Sequence, residues 1–486
     1  MAAASSSAAR ILFAVTMAAA VSLAAPSAPA PGPAATVRAG FYLAAAARLR
    51  PLAALDASLY THLYYSALAV HPTTRKPALP ADPDQAGLLA AFSPALKSRN
   101  RALRTLLSVG AGPGAGVAGI AGAGSQTDPS FAAMAADPAS RAAFAAAAVA
   151  LARATGFDGL DVAWRFPASA VEMADFGFLV SECRAAAPPG FLLTATVYFS
   201  SHVFDAPLPG VDYPSEAAAR CLDWVNVAAF GLRPRGAGAT AFDAPLYDRA
   251  SHFSASYGVV SWVDAGMPAG KVVMGLPLYG RSWFLRNKAN RCVGAPVVAA
   301  GPKQRGSNAT GVMSYAEVQE LAAAGGGGDP RRAVTTTYDN ASVASYLSVG
   351  DVWVAFDGAA VVAEKLAFAA RRGLLGYFLW PVNYDDANLT MSRTASEAWM
   401  QNEISSSSRN GNGVGQTQGP VRLPPALRSP AGTPGPVAAL TSASASWLPW
   451  TKLNAFLNFG LLILAWCLSQ KLDVSLHLGW LVQSSD

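Results

Sequence analysis

The chain has 486 residues, 52% of them hydrophobic and only 14% charged, with a net charge of +6 at pH 7. That balance excludes a chain disordered throughout and leaves one large domain or two to three ordinary ones, globular or membrane-associated. The positive excess is spread out, with Arg331-Arg332 and Arg371-Arg372 its nearest clusters, so the basic stripe that nucleic-acid binding requires is missing.

In chain order, residues 1–30 have the pattern of a secretory signal. Arg10 is the positive flank, 11–25 a short apolar core, and small residues around Ser27 and Ala30 suit cleavage. Three sequons, at Asn308, Asn340 and Asn388, point the same way, because such glycosylation acceptors serve only an exported chain. Cys183, Cys221, Cys292 and Cys467 lie far apart and without metal-ligand spacing. They make neither a disulfide framework nor a zinc site, and at most one bridge is expected among the first three. No metal and no cofactor are expected.

Short apolar or β-branched runs then alternate with Ala-rich stretches able to form helices. The runs are 37–43, 62–70, 104–110, 156–167, 192–199, 222–230, 272–279 and 374–382, with a Gly-rich loop at 111–124 and a helix expected at 138–155. Eight strands with helical or loop crossovers predict a parallel (β/α)8 barrel. An open doubly wound sheet fits less well, since no dinucleotide glycine fingerprint follows the first run. Gly and Pro punctuation weighs against an all-helical chain. In the fourth run a period of two puts Asp161, Ala163 and Arg165 on one face and Asp158 on the other.

That run resembles the signature strand of family 18 glycoside hydrolases, Asp-x-Asp-x-Glu. Further pieces match plant class V chitinases of that family in order and spacing from 37 to 399. They are Ala39-Gly40-Phe41-Tyr42, Thr61-His62-Leu63, Leu106-Leu107-Ser108-Val109-Gly110, Leu222-Asp223-Trp224-Val225-Asn226 and 373–380. The resemblance implies a (β/α)8 TIM barrel over 36–400, with a small α+β domain inserted after strand seven at 281–356. In the family the Glu is the proton donor, and the middle Asp orients an acetamido group whose carbonyl is the nucleophile. Here those positions are Arg165 and Ala163. A guanidinium stays protonated and donates no proton in catalysis. Family members carry Met-x-Tyr-Asp where this chain reads Ala228-Ala229-Phe230-Gly231, losing a hydroxyl and a further carboxylate. The motif positions Asp158, Asp161, Ala163, Arg165, Phe230 and Gly231 therefore form a degenerate set. Neither Asp158 nor Glu172, which falls in the following helix, is expected to replace the acid. Arg165 is expected either to hydrogen-bond sugar hydroxyls or to plug the pocket beside Asp161.

The sugar-binding half of the resemblance survives. Trp380 matches the tryptophan that floors the central sugar, where an indole face suits the C–H side of a pyranose. Tyr42, Tyr198, Trp283 and Asp357 match groove positions less closely, Trp164 falls on the core-facing side, and Ala67 replaces an aromatic usual in the family. The expectation is a catalytically inactive chitinase-like protein that binds chitin or N-acetylglucosamine oligomers as a lectin or receptor-like ectodomain. The alternatives are an active chitinase using an unrecognised acid, a protein-binding inhibitor on the same barrel, and an ectodomain acting with a partner kinase.

Composition changes at Gln401. Residues 401–448, rich in Ser, Gly, Pro and Gln, read as a disordered linker. The stretch 453–469 then carries no charge and is bounded by Lys452 and Lys471, near the lower length limit for a membrane-spanning helix. Trp447, Trp450 and Trp466 suit its interfaces. The expectation is a span at 449–471 with a short tail at 472–486, so the chain is secreted or held at the cell surface by one C-terminal helix.

Overall fold

The computed structural model describes residues 36–110, 128–204, 211–232, 238–325 and 333–411. The signal-like 1–30, the stretch 412–448, the apolar run 453–469 and Cys467 lie outside them. No helix among the described residues is long and apolar enough to cross a membrane.

Strands β1 (Val37–Leu43), β2 (His62–Leu68), β3 (Arg104–Gly110), β4 (Gly159–Ala163), β5 (Leu192–Val197), β6 (Trp224–Val227) and β7 (Val272–Pro277) pair in parallel, each with the next. An inserted set follows: β8 (Tyr279–Leu285), β9 (Val297–Ala300), β10 (Val312–Ser314), β11 (Val334–Asp339), β12 (Ala344–Val349) and β13 (Val352–Phe356). The last strand, β14 (Gly376–Trp380), pairs with β7 and with β1, which closes the barrel. Both faces of each barrel strand are covered, so these runs read as continuous apolar stretches without alternation.

The helices start where local chemistry tells them to. α1 (Pro83–Lys97), α2 (Pro129–Ala135) and α3 (Pro138–Ala154) each follow an Asp-Pro pair. The Asp82, Asp128 and Asp137 carboxylates accept first-turn backbone N–H groups, while proline at N1 has no N–H to leave orphaned. Serine does the same for α4 (Ala170–Ala186) and α6 (Ala255–Asp264), through Ser169 and Ser254. α5 (Ser215–Cys221) lies between them, and α7 (Tyr315–Ala324) opens on a capping box of Ser314 and Glu317. α8 (Ala359–Arg371) precedes β14, and α9 (Thr390–Gly411) follows it.

The inserted strands form an antiparallel sheet in the order β10-β8-β13-β12-β11, with β9 on β8. With α7 they make the expected α+β insertion, which begins at Tyr279 rather than at 281. It has apolar clusters of its own, around Trp353 and around Val318.

Two expectations shift. Strand six is shorter than 222–230, because beyond Val227 the backbone leaves the ladder: Phe230 N–H bonds Ala228 C=O and Leu232 N–H bonds Asp243 C=O. Helix α9 runs past Gln401 to Gly411, into the stretch read as linker. Its start is anchored by buried Met391, Ala395 and Trp399, and Trp399 Nε1–H donates to Glu403 at 2.7 Å, so propagation costs little. Cys183, Cys221 and Cys292 are free thiols, the first two buried in the core.

Asp158, just before β4, pairs with Lys97 at 2.7 Å and Arg104 at 3.2 Å and accepts Thr105 N–H at 2.8 Å. Burial by itself would raise its carboxyl pKa, but these partners hold it below the ordinary value. A depressed folded pKa contributes stability that is present near neutral pH and lost as pH falls through the folded value. Asp158→Asn is therefore expected to cost about 1–3 kcal/mol near pH 7. The deficit should narrow below about pH 4, where the unfolded carboxyl begins to protonate. Denaturant unfolding of both proteins across that range checks it, and a deficit independent of pH would contradict the assignment.

Candidate functional site

The barrel interior is built from alternate residues of its strands. Inside the barrel the rings of Phe41 (β1) and Tyr64 (β2) stack at 4.1 Å, and Phe378 (β14) meets Phe41 at 5.1 Å. Gly275 on β7 makes room for them: a Cβ there would stand 2.5 Å from Phe378 and 2.6 Å from Phe230. Phe230 is fully buried between Phe378 and Tyr279, and its ring presents no hydroxyl.

Asp161 sits in the middle of this interior with no exposure. Its carboxylate accepts from Ser108 (2.7 Å), Thr194 (2.8 Å), Thr196 (2.9 Å) and Asn226 (3.2 Å), on β3, β5 and β6. Burial raises its pKa, against the pull of those four hydrogen bonds. This carboxylate ties strands together and has no acceptor capacity to spare for Arg165.

Arg165 lies just past the end of β4 and is half-buried. It does not pair with Asp161, which corrects the picture of two opposite charges side by side. Its guanidinium instead lies over the Trp380 indole, 6.0 Å from the ring centroid, and its Nη1 is shielded from solvent with no hydrogen-bond partner among the described residues. Burial lowers its pKa to about 10, with Asp128 opposing the shift, so it remains cationic at neutral pH. Trp380 is only 3% exposed, touches Phe41 at 5.3 Å, and has an Nε1–H with no acceptor among the described residues. Ala163 lies between Asp161 and Arg165 in sequence, beside Gly110 of the neighbouring strand, where a Cβ would come 2.0 Å from the Ala163 carbonyl oxygen. Cis peptide bonds stand at Ser66–Ala67, Arg165–Phe166 and Trp380–Pro381, at the C-terminal ends of β2, β4 and β14.

The structure thus brings Asp161, Ala163, Arg165 and Trp380 to one region. The other sequence candidates are held by contacts of their own, Tyr198 next to this region and the rest apart from it. Tyr42 is on the outer face of β1 against Phe92, fully buried, its hydroxyl donating to the Arg50 carbonyl at 2.9 Å and its pKa pushed by burial to about 12. Tyr198, buried at the end of β5, packs against Phe166 and Phe199. Trp283 is half-buried in the inserted sheet against Trp353. Asp357 is buried in an ion pair with Lys365, which also donates to the Ala244 carbonyl. Trp164 stacks on Phe131 in the core, and Glu172 accepts the Ala168 N–H at the start of α4. Asn308, Asn340 and Asn388 are exposed.

Sequence reasoning missed Asp243. Gly231 has φ +69°, a left-handed backbone that glycine adopts without strain, and its N–H donates to Asp243 at 3.2 Å. Asp243 also pairs with Arg281 at 3.1 Å, both nearly inaccessible. A carboxylate therefore stands beside Gly231, supplied by the following loop. The signal was Arg281 in an otherwise apolar run, since a buried guanidinium needs an anionic partner.

A closed parallel barrel with its distinctive side chains gathered at the C-terminal strand ends defines a (β/α)8 protein of the kind that hosts glycosidases. The chain matches the model of glycosyl hydrolases family 18 over residues 38–385. It belongs to that family. It is 32% identical over 359 residues to a class V chitinase of Arabidopsis thaliana, covering 72% of this chain and 86% of that protein. Its fold matches the family 18 chitinase of Cycas revoluta solved in complex with (GlcNAc)3, at TM-score 0.65 and 34% identity over 75% of this chain and 99% of the other. It also matches a chitinase-like agglutinin from Robinia pseudoacacia, at TM-score 0.63 and 29% identity with the same coverage.

Proposed function

We propose that this chitinase-like barrel does not hydrolyse chitin and binds N-acetylglucosamine oligomers at its strand ends. The reading is carried by Arg165: at the position where the motif resemblance puts the family's proton donor, this chain has a group that stays cationic at neutral pH. Ala163 and Phe230 support it, since neither can orient or hydrogen-bond an acetamido group. The binding half is supported by Trp380 and by similarity to structures whose names include a GlcNAc complex and an agglutinin.

If the C-terminal end of the barrel binds sugar, the Trp380 indole, 3% exposed with the Arg165 guanidinium over it, becomes the stacking face once Arg165 moves aside. Stacking is worth roughly 0.5–1.5 kcal/mol beyond the buried area. With that area added, Trp380→Ala is expected to weaken chito-oligosaccharide binding by about 1–3 kcal/mol, or roughly five- to a hundred-fold. Calorimetry on the folded variant checks this. Unchanged affinity would remove the lectin reading and favour a protein-binding role on the same barrel.

Export is part of the same proposal, supported by the signal-like N-terminus and by the exposure of Asn308, Asn340 and Asn388. Chain recovered from a plant secretory host should lose mass on enzymatic deglycosylation. Chain that stays inside the cell and carries no glycan would argue against it.

A further inference from the structure

The end of the groove has reversed the charge it offers. The family's motif supplies carboxylates there, whereas this chain supplies Ala163 and a guanidinium. The carboxylates around it are committed to other partners. Asp161 is filled by four donors, Asp243 holds Arg281, and Asp128, the charge acting on Arg165, caps α2 through Oδ1. Two shielded N–H groups find no acceptor among the described residues, Arg165 Nη1 and Trp380 Nε1, with the guanidinium lying over the indole. Buried donors in native proteins nearly always find an acceptor. An anionic oxygen meets that need better than a neutral hydroxyl, because charge-assisted hydrogen bonds are about twice as strong.

We propose that this end of the groove takes a saccharide bearing a carboxylate or sulfate group, whose oxygens accept from Arg165 and from the Trp380 indole N–H. The inference rests on the reading that the groove binds saccharide, and it adds which kind. Arg165 then has two opposite effects. It covers the indole against a neutral sugar, and it recruits an anionic one.

Calorimetry on the full chain tests this with chitotetraose, the cationic chitosan tetramer, a hyaluronan tetrasaccharide and a 6-O-sulfated chitotetraose. At least one anionic probe is expected to bind about tenfold or more tighter than chitotetraose, the size a hydrogen bond to a charged group carries. The advantage should shrink as salt is added, and the chitosan tetramer should bind most weakly. Whichever anionic probe gains identifies carboxylate or sulfate as the group received. Arg165→Gln should erase the preference while affinity for chitotetraose holds or rises, and Arg165→Lys should keep most of the preference. A variant that merely unfolds would lose both affinities together, so the opposed changes are the signature. Equal affinity for chitotetraose and both anionic probes, or a preference that survives Arg165→Gln, overturns the proposal. Binding of chitotetraose alone overturns it and leaves the wider reading standing. Binding of an anionic probe alone supports it and overturns the neutral-oligomer reading, and binding of none overturns both.

Discussion

The purified chain is expected to release no reducing ends from chitin oligomers at the rates typical of enzymes, about 1 per second or more. General acid catalysis is typically worth about 10²- to 10⁴-fold, and Arg165 forfeits it. At a pKa of about 10 the guanidinium is unable to give up its proton near neutrality, and on the proposed reading it is positively charged where substrate-assisted hydrolysis, with an acetamido carbonyl as nucleophile, forms a cationic intermediate. Ala163 withdraws the carboxylate that would stabilise that cation. Asp161 cannot move up to replace it, because its two oxygens are held by four strand residues. Arg165→Glu alone should therefore leave the chain inactive, while Arg165→Glu with Ala163→Asp and Phe230→Tyr should recover measurable turnover. Losses among groups that act together are not additive, so the triple change is expected to exceed any product of single effects. Strong recovery from Arg165→Glu by itself would show that the acetamide-orienting groups matter little here.

Replacing Lys365 should produce the largest loss of stability. Its ammonium is 1% exposed and pairs with Asp357, 4% exposed, at the junction of β13 and α8. Removing one partner of a buried pair leaves an uncompensated charge and costs about 3–5 kcal/mol. Lys365→Met keeps most of the stem volume, so the expected loss is electrostatic. Burial already raises the Asp357 carboxyl pKa, with Lys365 pulling it down, and removing the lysine raises it further. An acid with a raised folded pKa binds its proton more tightly folded than unfolded, so the deficit should be full above the folded pKa and shrink as pH falls through it. Lys365→Met with Asp357→Asn should recover most of the loss, since neither charge then remains buried. Chemical denaturation of the three variants between about pH 7 and pH 4 measures this. A deficit that neither the second substitution nor acid relieves would show that the pair is packing and not charge.

Much of the barrel was legible in the chain. The runs 37–43 and 104–110 coincide with β1 and β3, and the insertion was misplaced by only two residues at its start. Helix α9 and strand six were less legible. A helix anchored by Met391, Ala395 and Trp399 continues through a polar stretch that composition alone reads as linker. Strand six ends where local backbone bonds take over from the ladder, which an apolar run cannot reveal.

At the site, the period of a strand placed Asp161, Ala163 and Arg165 on one face, and side-chain chemistry alone established that Arg165 is no proton donor. Those conclusions need only local geometry and the identity of each residue. Tertiary structure decided what each side chain touches. Asp161 reads as a remnant of a degenerate motif with Arg165 beside it, yet its oxygens are filled by Ser108, Thr194, Thr196 and Asn226, which come near it only when the barrel closes. Asp357 reads as a groove residue and is the buried partner of Lys365, while Arg281 signals a buried anionic partner without saying that it is Asp243 or that it stands beside Gly231. A buried charge finds its partner across elements far apart in sequence, and which partner it meets is set by barrel closure and packing.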